Sequence, residues 1–374
     1  MAESLAIISG KGGSGKTTLA ISLAQLLSSC GKRVLLVDCD MSTHGATYFF
    51  ESMLSNKNRY FTVIGLLFDN SNSINDGMEF LNVSDNVWFL PSCVNFPSKS
   101  IPFSKAEKFR WYTFNDDIIK KKEFDVVIYD CQAGYSMITE MVTKKTNKNL
   151  AVIEADAISA SSLRVLYAQL SENLDRGNTY QIFNKITQEE QDVYTKLIHG
   201  TLFTNLSPIL FDWNVRKAFI TNELPEINAS NPILTNSVYN LAFDLFPNYK
   251  NEMREFLVKI KEDIISRLEN EVYDVKRGMR GNLMEVFFKT IPVVMSIIGV
   301  FLAIFIYYFD GYYESYFSDT MLTILYCTLI TLSFSSFAAL MSRKSKHSDE
   351  IRQLRKRRQN LEDEIKNIMK KIQK

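Results

Sequence analysis

The chain has 374 residues, of which 46% are hydrophobic and 23% charged, so it is long enough to bury one large core or two smaller ones. Lys and Arg total 43 against 42 Asp and Glu, and a net charge of +1 argues against a nucleic-acid-binding surface over the whole molecule. The five cysteines include no C-x-x-C pair, so the sequence predicts neither a disulfide framework nor a zinc site, and it favours a reducing compartment.

The first apolar run, SLAIIS, leads directly into SGKGGSGKTT at residues 9–18 and then into the helical pattern LAISLAQLL. This strand, turn and helix contain the P-loop pattern G-x-x-x-x-G-K-[ST]. Glycines let backbone N–H groups converge on phosphate oxygens, and the helix N-terminus adds its positive dipole end. The predicted phosphate-binding residues are Gly12, Gly13, Ser14, Gly15, Lys16, Thr17 and Thr18.

Two side chains of this loop have predicted chemical roles. Lys16 should reach the β and γ phosphates, and the hydroxyl of Thr17 should ligate Mg²⁺. The loop also contains a second lysine, Lys11, directly after its first glycine. The P-loop pattern alone does not require a lysine at that position.

Short apolar runs that end at polar residues follow, and they suit strands that are buried on both faces of a sheet. They are RVLLVD (33–38), FDVVIYD (124–130), LAVIEA (150–155) and TYQIFN (179–184), with NVWFLPS (86–92) as the best candidate in the less regular stretch 41–120. Helical patterns lie at 17–29, about 136–147, and 160–174. The alternation predicts an α/β fold over 1–248, a doubly wound, mostly parallel sheet of P-loop NTPase type with its ligand at the carboxyl ends of the strands.

Two of these strand ends carry acids. VVIYD ends in Asp130, as expected for the Walker B carboxylate that lies beside a bound metal ion. VLLVDCD ends in Asp38 and Asp40, whose side chains point the same way along an extended segment. We therefore predict a Mg²⁺ site at Thr17, Asp40 and Asp130.

KGGSGKTT, DCDMSTHGAT and DCQAG resemble the deviant Walker A, switch I and Walker B segments of the MinD/ParA family of P-loop ATPases. The resemblance continues more weakly through Asn184 and Lys185 and through 207–232, over roughly residues 4–247. It implies an enzyme that slowly hydrolyses ATP to ADP and phosphate with Mg²⁺ and that forms a homodimer when ATP is bound.

The resemblance also assigns roles to individual residues. Lys11 is expected to cross the dimer interface and touch the partner's nucleotide, which makes it catalytic together with Lys16 and Asp40. Asp40 is expected to orient the hydrolytic water, and Asp130 to hold Mg²⁺ directly or through water. Asn184 matches the family position that contacts adenine, although an asparagine there also suits a helix N-cap.

Two long apolar runs, 291–309 and 321–341, contain no charged residue, and each is long enough to span a bilayer. Basic residues flank the pair, whereas the connection DGYYESYFSD carries three acids and no base. The positive-inside rule then predicts a transmembrane hairpin over 290–341 that contacts lipid through 291–341. The sequence therefore predicts a multi-pass protein of a bacterial inner membrane with both termini in the cytoplasm, joined to the ATPase part by a helical connector, 249–289.

Residues 342–374 form a basic helical pattern with apolar residues at a and d spacing and Arg358 at one a position. The pattern suits a short coiled coil. It also suits an amphipathic helix on anionic lipid, because RKRR occupies 355–358.

Two functional hypotheses follow from these observations. The first is a membrane-anchored ATP-dependent switch that recruits or activates a protein partner. The second is a membrane-associated protein kinase related to the bacterial tyrosine kinases, which resemble the same ATPase class. Residues 342–374 contain no tyrosine, so tyrosine autophosphorylation of this tail is excluded.

Overall fold

The computed structural model divides the chain into two compact units, Met1–Ile260 and Lys261–Lys374. The residues that it describes are 2–54, 60–68, 79–93, 111, 124–187, 189–190, 203–221, 223, 226–228, 231–275, 277 and 349–370.

The strands and helices alternate along the first unit. The strands are β1 (Glu3–Ser9), β2 (Val34–Cys39), β3 (Leu81–Ser84), β4 (Val87–Leu90), β5 (Val126–Ala133), β6 (Lys148–Glu154), β7 (Thr179–Asn184) and β8 (Thr204–Asn205). The helices are α1 (Lys16–Ser29), α2 (Gly45–Phe49), α3 (Val63–Phe68), α4 (Met137–Lys145), α5 (Ala157–Gln169), α6 (Trp213–Ile220) and α7 (Pro232–Leu245). Short 3₁₀ helices occupy Glu51–Met53 and Pro247–Tyr249, and further helical residues lie at 250–275 and 349–370.

In the part of the chain that the structure describes, the strands form one eight-stranded sheet in the order β3-β4-β2-β5-β1-β6-β7-β8. The pairs are parallel except for the antiparallel edge pair of β3 and β4. The predicted doubly wound, mostly parallel sheet is confirmed. Because β1 lies between β5 and β6, the order of the strands reverses at β1, and ligands of such sheets bind at that switch point.

Burial explains why the apolar runs become central strands. All six residues of β2 are buried, and so are the last five of β1 and the first six of β5. Strands with both faces covered have no reason to alternate polar and apolar residues. Helix α1 covers part of the sheet with an apolar face and ends before Gly31, whose φ of 77° suits a glycine at a helix C-terminus.

The structure corrects some helix limits. The pattern predicted as a helix over 160–174 begins earlier, at Ala157, because Asp156 caps it by accepting a hydrogen bond from the backbone N–H of Ser159. It ends at Gln169, although Leu170 and Leu174 remain buried in the following turn. The irregular stretch 41–120 contains α2 and α3, which the sequence did not predict, and NVWFLPS supplies β4.

The structure contradicts the predicted location as a multi-pass protein of the inner membrane. Among the described residues, none of the helices combines the length with the apolar character that crossing a bilayer requires. Charged residues recur through both 250–275 and 349–370, and charge is costly in a hydrocarbon environment. The two runs at 291–309 and 321–341, from which the hairpin and its lipid contacts were predicted, lie outside the described residues.

In the second unit, the predicted C-terminal helix is present over 349–370. Its apolar stripe is half-buried, and two ion pairs join it to the segment that ends at 275: Arg358 with Glu269 at 3.0 Å, and Lys261 with Glu364. Arg358, which interrupts the stripe, is therefore paired within its own unit. The coiled coil predicted from the stripe finds no support in the described residues.

Candidate nucleotide-binding site

The loop after β1 has the backbone of a phosphate cradle. Gly13 and Gly15 have φ angles of 82° and 90°, values that L side chains rarely adopt. A Cβ on Gly15 would lie 2.3 Å from Nδ2 of Asn184, so this position accepts only glycine. Gly12 and Gly13 are exposed, and a Cβ on either would meet nothing, so their side of the loop is open to a ligand.

Lys16 lies within this cradle. It is 8% exposed, and its Nζ donates a hydrogen bond to Oγ of Ser9 at 2.9 Å. Helix α1 begins at this lysine with no side chain capping its first turn, which includes Thr17 and Thr18. An uncapped helix N-terminus beside a buried ammonium group is suited to bind an anion. The buried Oγ of Ser14 lacks a hydrogen-bond partner among the described residues and is available to the same ligand.

The predicted metal ligands Thr17 and Asp130 are brought together. Oγ1 of Thr17 donates to Oδ2 of Asp130 at 2.6 Å. The other carboxylate oxygen of Asp130 is buried and lacks a partner within the described residues. Burial raises the pKa of Asp130 to about 6, against the hydrogen bond from Thr17 and the charge of Lys16, which lower it. A hydroxyl and an orphaned carboxylate oxygen beside a phosphate cradle fit Mg²⁺, which takes few protein ligands and completes its shell with phosphates and water.

The second pair of acids lies on the neighbouring strand. Asp38 of β2 is the register partner of Asp130 of β5, and burial together with the charge of Asp130 raises the pKa of Asp38 to about 7. Asp40 follows at the end of β2, close enough that its charge also raises the pKa of Asp130. The carboxyl ends of β2 and β5 therefore place three acids at one edge of the site.

The carboxylate of Asp40 is held by its own loop. Oδ1 accepts hydrogen bonds from Ser42 N, Ser42 Oγ and Thr43 N at 2.8–3.0 Å, and Oδ2 accepts one from Thr43 Oγ1 at 2.5 Å. Burial alone would raise the pKa of Asp40, but these donors outweigh it and lower the pKa below its ordinary value. The loop then reaches Gly45, where a Cβ would lie 3.4 Å from Oγ1 of Thr17. The segment that resembles switch I therefore touches the metal-ligand side of the cradle.

Lys11 points elsewhere. Its Nζ lies 3.3 Å from Oε2 of Glu154 and 3.4 Å from Oδ2 of Asp156, and its side chain is 37% exposed. Those two hydrogen bonds raise the pKa of Lys11. Lys185 pairs with the other oxygen of Glu154 at 2.6 Å and also donates to the carbonyl of Gly13. We call Lys11, Glu154, Asp156 and Lys185 the rim cluster.

Helix α5 is fixed against this side of the loop by Gly10. A Cβ on Gly10 would lie 2.3 Å from the carbonyl carbon of Ser162 and 2.5 Å from the nitrogen of Leu163. Only a glycine lets the backbone of α5 come this close. This approach brings Asp156, the N-cap of α5, to the neighbouring Lys11.

Asn184 is 5% exposed at the end of β7, and its Nδ2 donates to the carbonyl of Ser14 at 2.8 Å. Its Oδ1 accepts from the backbone N–H of Lys185 at 2.9 Å. The side chain thus supports the phosphate loop from behind, and its contact with adenine stays a prediction.

Sequence reasoning gave no role to several residues that the structure brings to the site, Asp156 of the rim cluster among them. Glu154 follows the apolar run of β6 as Asp130 follows that of β5, so the rule that found Asp130 would also have found Glu154. Lys185 was noted only as part of the weaker resemblance. Thr47 and Ser92 hydrogen-bond to each other near Asp38. The sequence analysis noted them only as the last residues of DCDMSTHGAT and NVWFLPS and gave neither a role of its own.

Comparisons with known proteins agree with this geometry. Residues 2–183 match the model of a family described as AAA domain. An uncharacterized ATP-binding protein of Methanocaldococcus jannaschii is 25% identical over 224 residues, which cover 58% of this chain and 78% of that protein. The septum site-determining protein MinD of Bacillus subtilis is 25% identical over 177 residues, which cover 47% of this chain and 62% of that protein.

These matches support the resemblance to the MinD/ParA family of P-loop ATPases. At that level they support nucleotide binding and ATPase activity. Among solved structures, the septum site-determining protein MinD of Pyrococcus horikoshii, complexed with Mg-ADP, superposes with a TM-score of 0.51 at 18% identity. That superposition covers 67% of this chain and 99% of the MinD chain. At 18% identity, the superposition shows a shared fold alone.

Proposed function

We propose that this chain is an ATP-driven dimerisation switch. It binds ATP with Mg²⁺, pairs with a second copy across the rim cluster, recruits or activates a protein partner as a dimer, and returns to the monomer after slow hydrolysis. The Mg-ADP named for the Pyrococcus horikoshii relative supports the choice of ligands. An asparagine at 184, the family's adenine position, supports ATP as the nucleotide.

In this proposal the cradle residues bind the nucleotide. The backbone of Gly12–Thr18 and the ammonium of Lys16 bind the phosphates, while Thr17 and Asp130 hold Mg²⁺. When bound, Mg²⁺ offsets the negative charge that the phosphates carry and helps to align them. Asp40 orients the attacking water once Ser42 and Thr43 cease to occupy its oxygens.

The observation that carries the proposal is the set of contacts made by the side chain of Lys11. Nζ of Lys16 is held in the cradle by Ser9, whereas Nζ of Lys11 is held by Glu154 and Asp156. Exposed ion pairs of this kind contribute little stability, so a triphosphate from a second copy can compete for the ammonium group. A cation that reaches ATP only in the dimer makes ATP binding and dimerisation favour each other.

In this proposal the same geometry also makes turnover slow. A cation supplied from a second protomer can offset charge on the transferring phosphoryl group, as an arginine finger does. Hydrolysis then depends on dimerisation, and the lone protomer is inactive because its Lys11 points away from its own cradle.

The test is the mass of the full chain in solution, measured by light scattering in ADP and in a non-hydrolysable ATP analogue. We expect a monomer in ADP and a dimer in the analogue. Lys11→Ala should remove the dimer. At protein concentrations too low for dimerisation it should keep the affinity for the analogue within about threefold, because the Lys11 side chain does not contact its own cradle.

Lys32→Ala is the matched control, because Lys32 is also paired with a glutamate, Glu252, at 2.6 Å. It should dimerise as the wild type does. A mass that does not depend on nucleotide, or a Lys11→Ala chain that still dimerises in the analogue, would contradict the proposal.

A further inference from the structure

The loop that carries Asp40 is held at both of its ends by hydrogen bonds to the buried carboxylate of Asp38. Asp38 accepts from the backbone N–H of Asp40 at 2.9 Å through Oδ1, and from the N–H and hydroxyl of Thr47 at 2.8 and 2.6 Å through Oδ2. Asp38 is fully buried and Thr47 is 0% exposed. One carboxylate thereby closes the segment that begins at Asp40 and enters α2.

Ser92 and His44 hold this segment against the end of β4. Ser92, two residues after the end of that strand, donates its N–H to Oγ1 of Thr47 at 2.9 Å, and its own Oγ also lies 2.9 Å from Thr47 Oγ1. Nδ1 of His44 lies 2.8 Å from Oγ of Ser92, with the sulfur of Cys93 farther away at 3.7 Å. His44 is 6% exposed, so every residue in the series of hydrogen bonds from His44 to Asp38 is buried.

The number of available hydroxyl hydrogens determines which group donates in each hydrogen bond of this series. When Asp38 is ionised, its carboxylate, at 2.6 Å, is the strongest acceptor for the one hydroxyl hydrogen of Thr47. Ser92 must then donate its hydroxyl hydrogen to Thr47, which leaves Nδ1 of His44 as the donor to Ser92. Each donor polarises the next, from His44 through Ser92 and Thr47 to Asp38.

We propose that His44 and Ser92 are positioning residues for ATP hydrolysis, and that they hold the loop so that Asp40 stays at the γ-phosphate side of the cradle. They act through Thr47 and Asp38 and touch neither the nucleotide nor the metal. This inference rests on the proposed role of Asp40 in orienting water. It gives a function to a histidine that no motif requires.

The backbone at His44 makes a clean test available. Its φ of 51° lies in the left-handed region, which asparagine and glycine adopt readily. In His44→Asn, Nδ2 of the new side chain can stand where Nδ1 stands and donate to Ser92. In His44→Gly, the backbone is accommodated but the donor is lost. The two variants separate the hydrogen bond from backbone strain.

We would measure kcat and KM for Mg-ATP hydrolysis by the full chain, together with the thermal unfolding midpoint. His44→Gly and Ser92→Ala should each lower kcat by about three- to tenfold, the factor that corresponds to one hydrogen bond, with KM unchanged. His44→Asn should restore kcat to within twofold. The double variant His44→Gly with Ser92→Ala should lower kcat no more than either single variant, because both substitutions interrupt the same series of hydrogen bonds.

Equal losses in His44→Asn and His44→Gly, or kcat within twofold of the wild type in both His44→Gly and Ser92→Ala, would overturn the positioning role. A parallel rise in KM would point to a nucleotide-binding defect and would also overturn it. Asp40→Ala separates this failure from that of the proposed function. If Asp40→Ala is inactive while His44→Gly is normal, only the positioning inference falls; if Asp40→Ala hydrolyses ATP normally, both fall.

Discussion

The phosphate cradle and the rim cluster belong to the same loop but are held in different ways. In the cradle, Lys16 is buried against Ser9, and Thr17 is bonded to the buried Asp130. In the rim cluster, Lys11 is partly exposed and rests on two carboxylates at 3.3 and 3.4 Å. Lysines only five residues apart are therefore fixed by burial in one case and by solvent-exposed ion pairs in the other.

This difference bears on what each lysine can do. Lys16 is buried, and its partner Ser9 belongs to a central strand of the sheet, so the cradle holds this lysine in place in the protomer by itself. An exposed ion pair is weak and screened by salt, so it can exchange one anion for another. The cradle is thus suited to constant binding, and the rim cluster is suited to a contact that forms and breaks.

The largest expected effect comes from Lys16→Ala. It removes the ammonium group from the cradle, and we expect ATP hydrolysis to fall at least about 100-fold, as for the loss of other preorganised charges. Binding of a fluorescent ATP analogue should weaken as well. Lys185→Ala is the matched control, since Lys185 touches the same loop at the carbonyl of Gly13 but belongs to the rim cluster. Equal loss of ATP binding in both variants would remove the distinction between the two regions.

Asp130→Asn is expected to have the next largest effect. The amide oxygen can still accept from Thr17, but the charge that attracts Mg²⁺ is lost, so the Mg²⁺ concentration for half-maximal hydrolysis should rise about 10- to 100-fold. A Mg²⁺ titration of the ATPase rate measures this shift. Glu154→Gln alters the acid at the end of β6, which β1 separates from β5, and should leave the Mg²⁺ requirement unchanged. If Glu154→Gln shifts it equally, the metal is not confined to the cradle.

How far the sequence predicted this site depended on the kind of interaction. Backbone-determined features were predictable, because the glycine spacing and the acids at strand ends follow from local geometry. Gly15, Lys16 and Asp130 lie where the motif and the apolar runs indicated, at the carboxyl ends of central strands.

Long-range contacts were not predictable in the same way. Asp156 meets Lys11 only because Gly10 lets α5 approach the loop, and Ser92 meets Thr47 across 45 residues of chain. No local sequence pattern predicts either contact. The direction of Lys11 in the protomer likewise depends on Glu154, which lies 143 residues further along the chain.

The pH dependence of stability tests the buried acids behind the cradle. Asp38 has an ordinary pKa of 3.8 and a folded pKa of about 7, so its contribution to stability is fully present below about pH 4 and is lost as the pH rises through 7. In the protein without nucleotide and Mg²⁺, this loss should amount to roughly 1 kcal/mol of unfolding free energy between pH 6 and 8.

Urea unfolding at pH 6 and pH 8 measures this loss, and Asp38→Asn should reduce it. Asp130 carries a raised pKa of about 6 with the same sign, so part of the pH dependence should persist in the variant. Stability that rises between pH 6 and 8, or a pH dependence unchanged by Asp38→Asn, would contradict the assignment.

The smallest expected effect tests the rim cluster itself. Asp156→Ser removes one anion from Lys11 but keeps an N-cap oxygen for the backbone N–H of Ser159, so α5 should remain intact. Because Lys11 then has one competitor fewer, a nucleotide-driven dimer should form at about two- to fivefold lower protein concentration, in keeping with the energy of an exposed ion pair.

The control for this last effect is Asp212→Ser, which alters the N-cap of α6 in the same way, because Asp212 accepts from the N–H of Asn214 at 2.8 Å. It should leave the dimerisation midpoint unchanged. A weaker dimer in Asp156→Ser would reverse the interpretation, since Asp156 would then help to present Lys11 to the second protomer and not compete for it. The direction of the shift therefore decides whether the rim cluster restrains Lys11 or prepares it for the dimer.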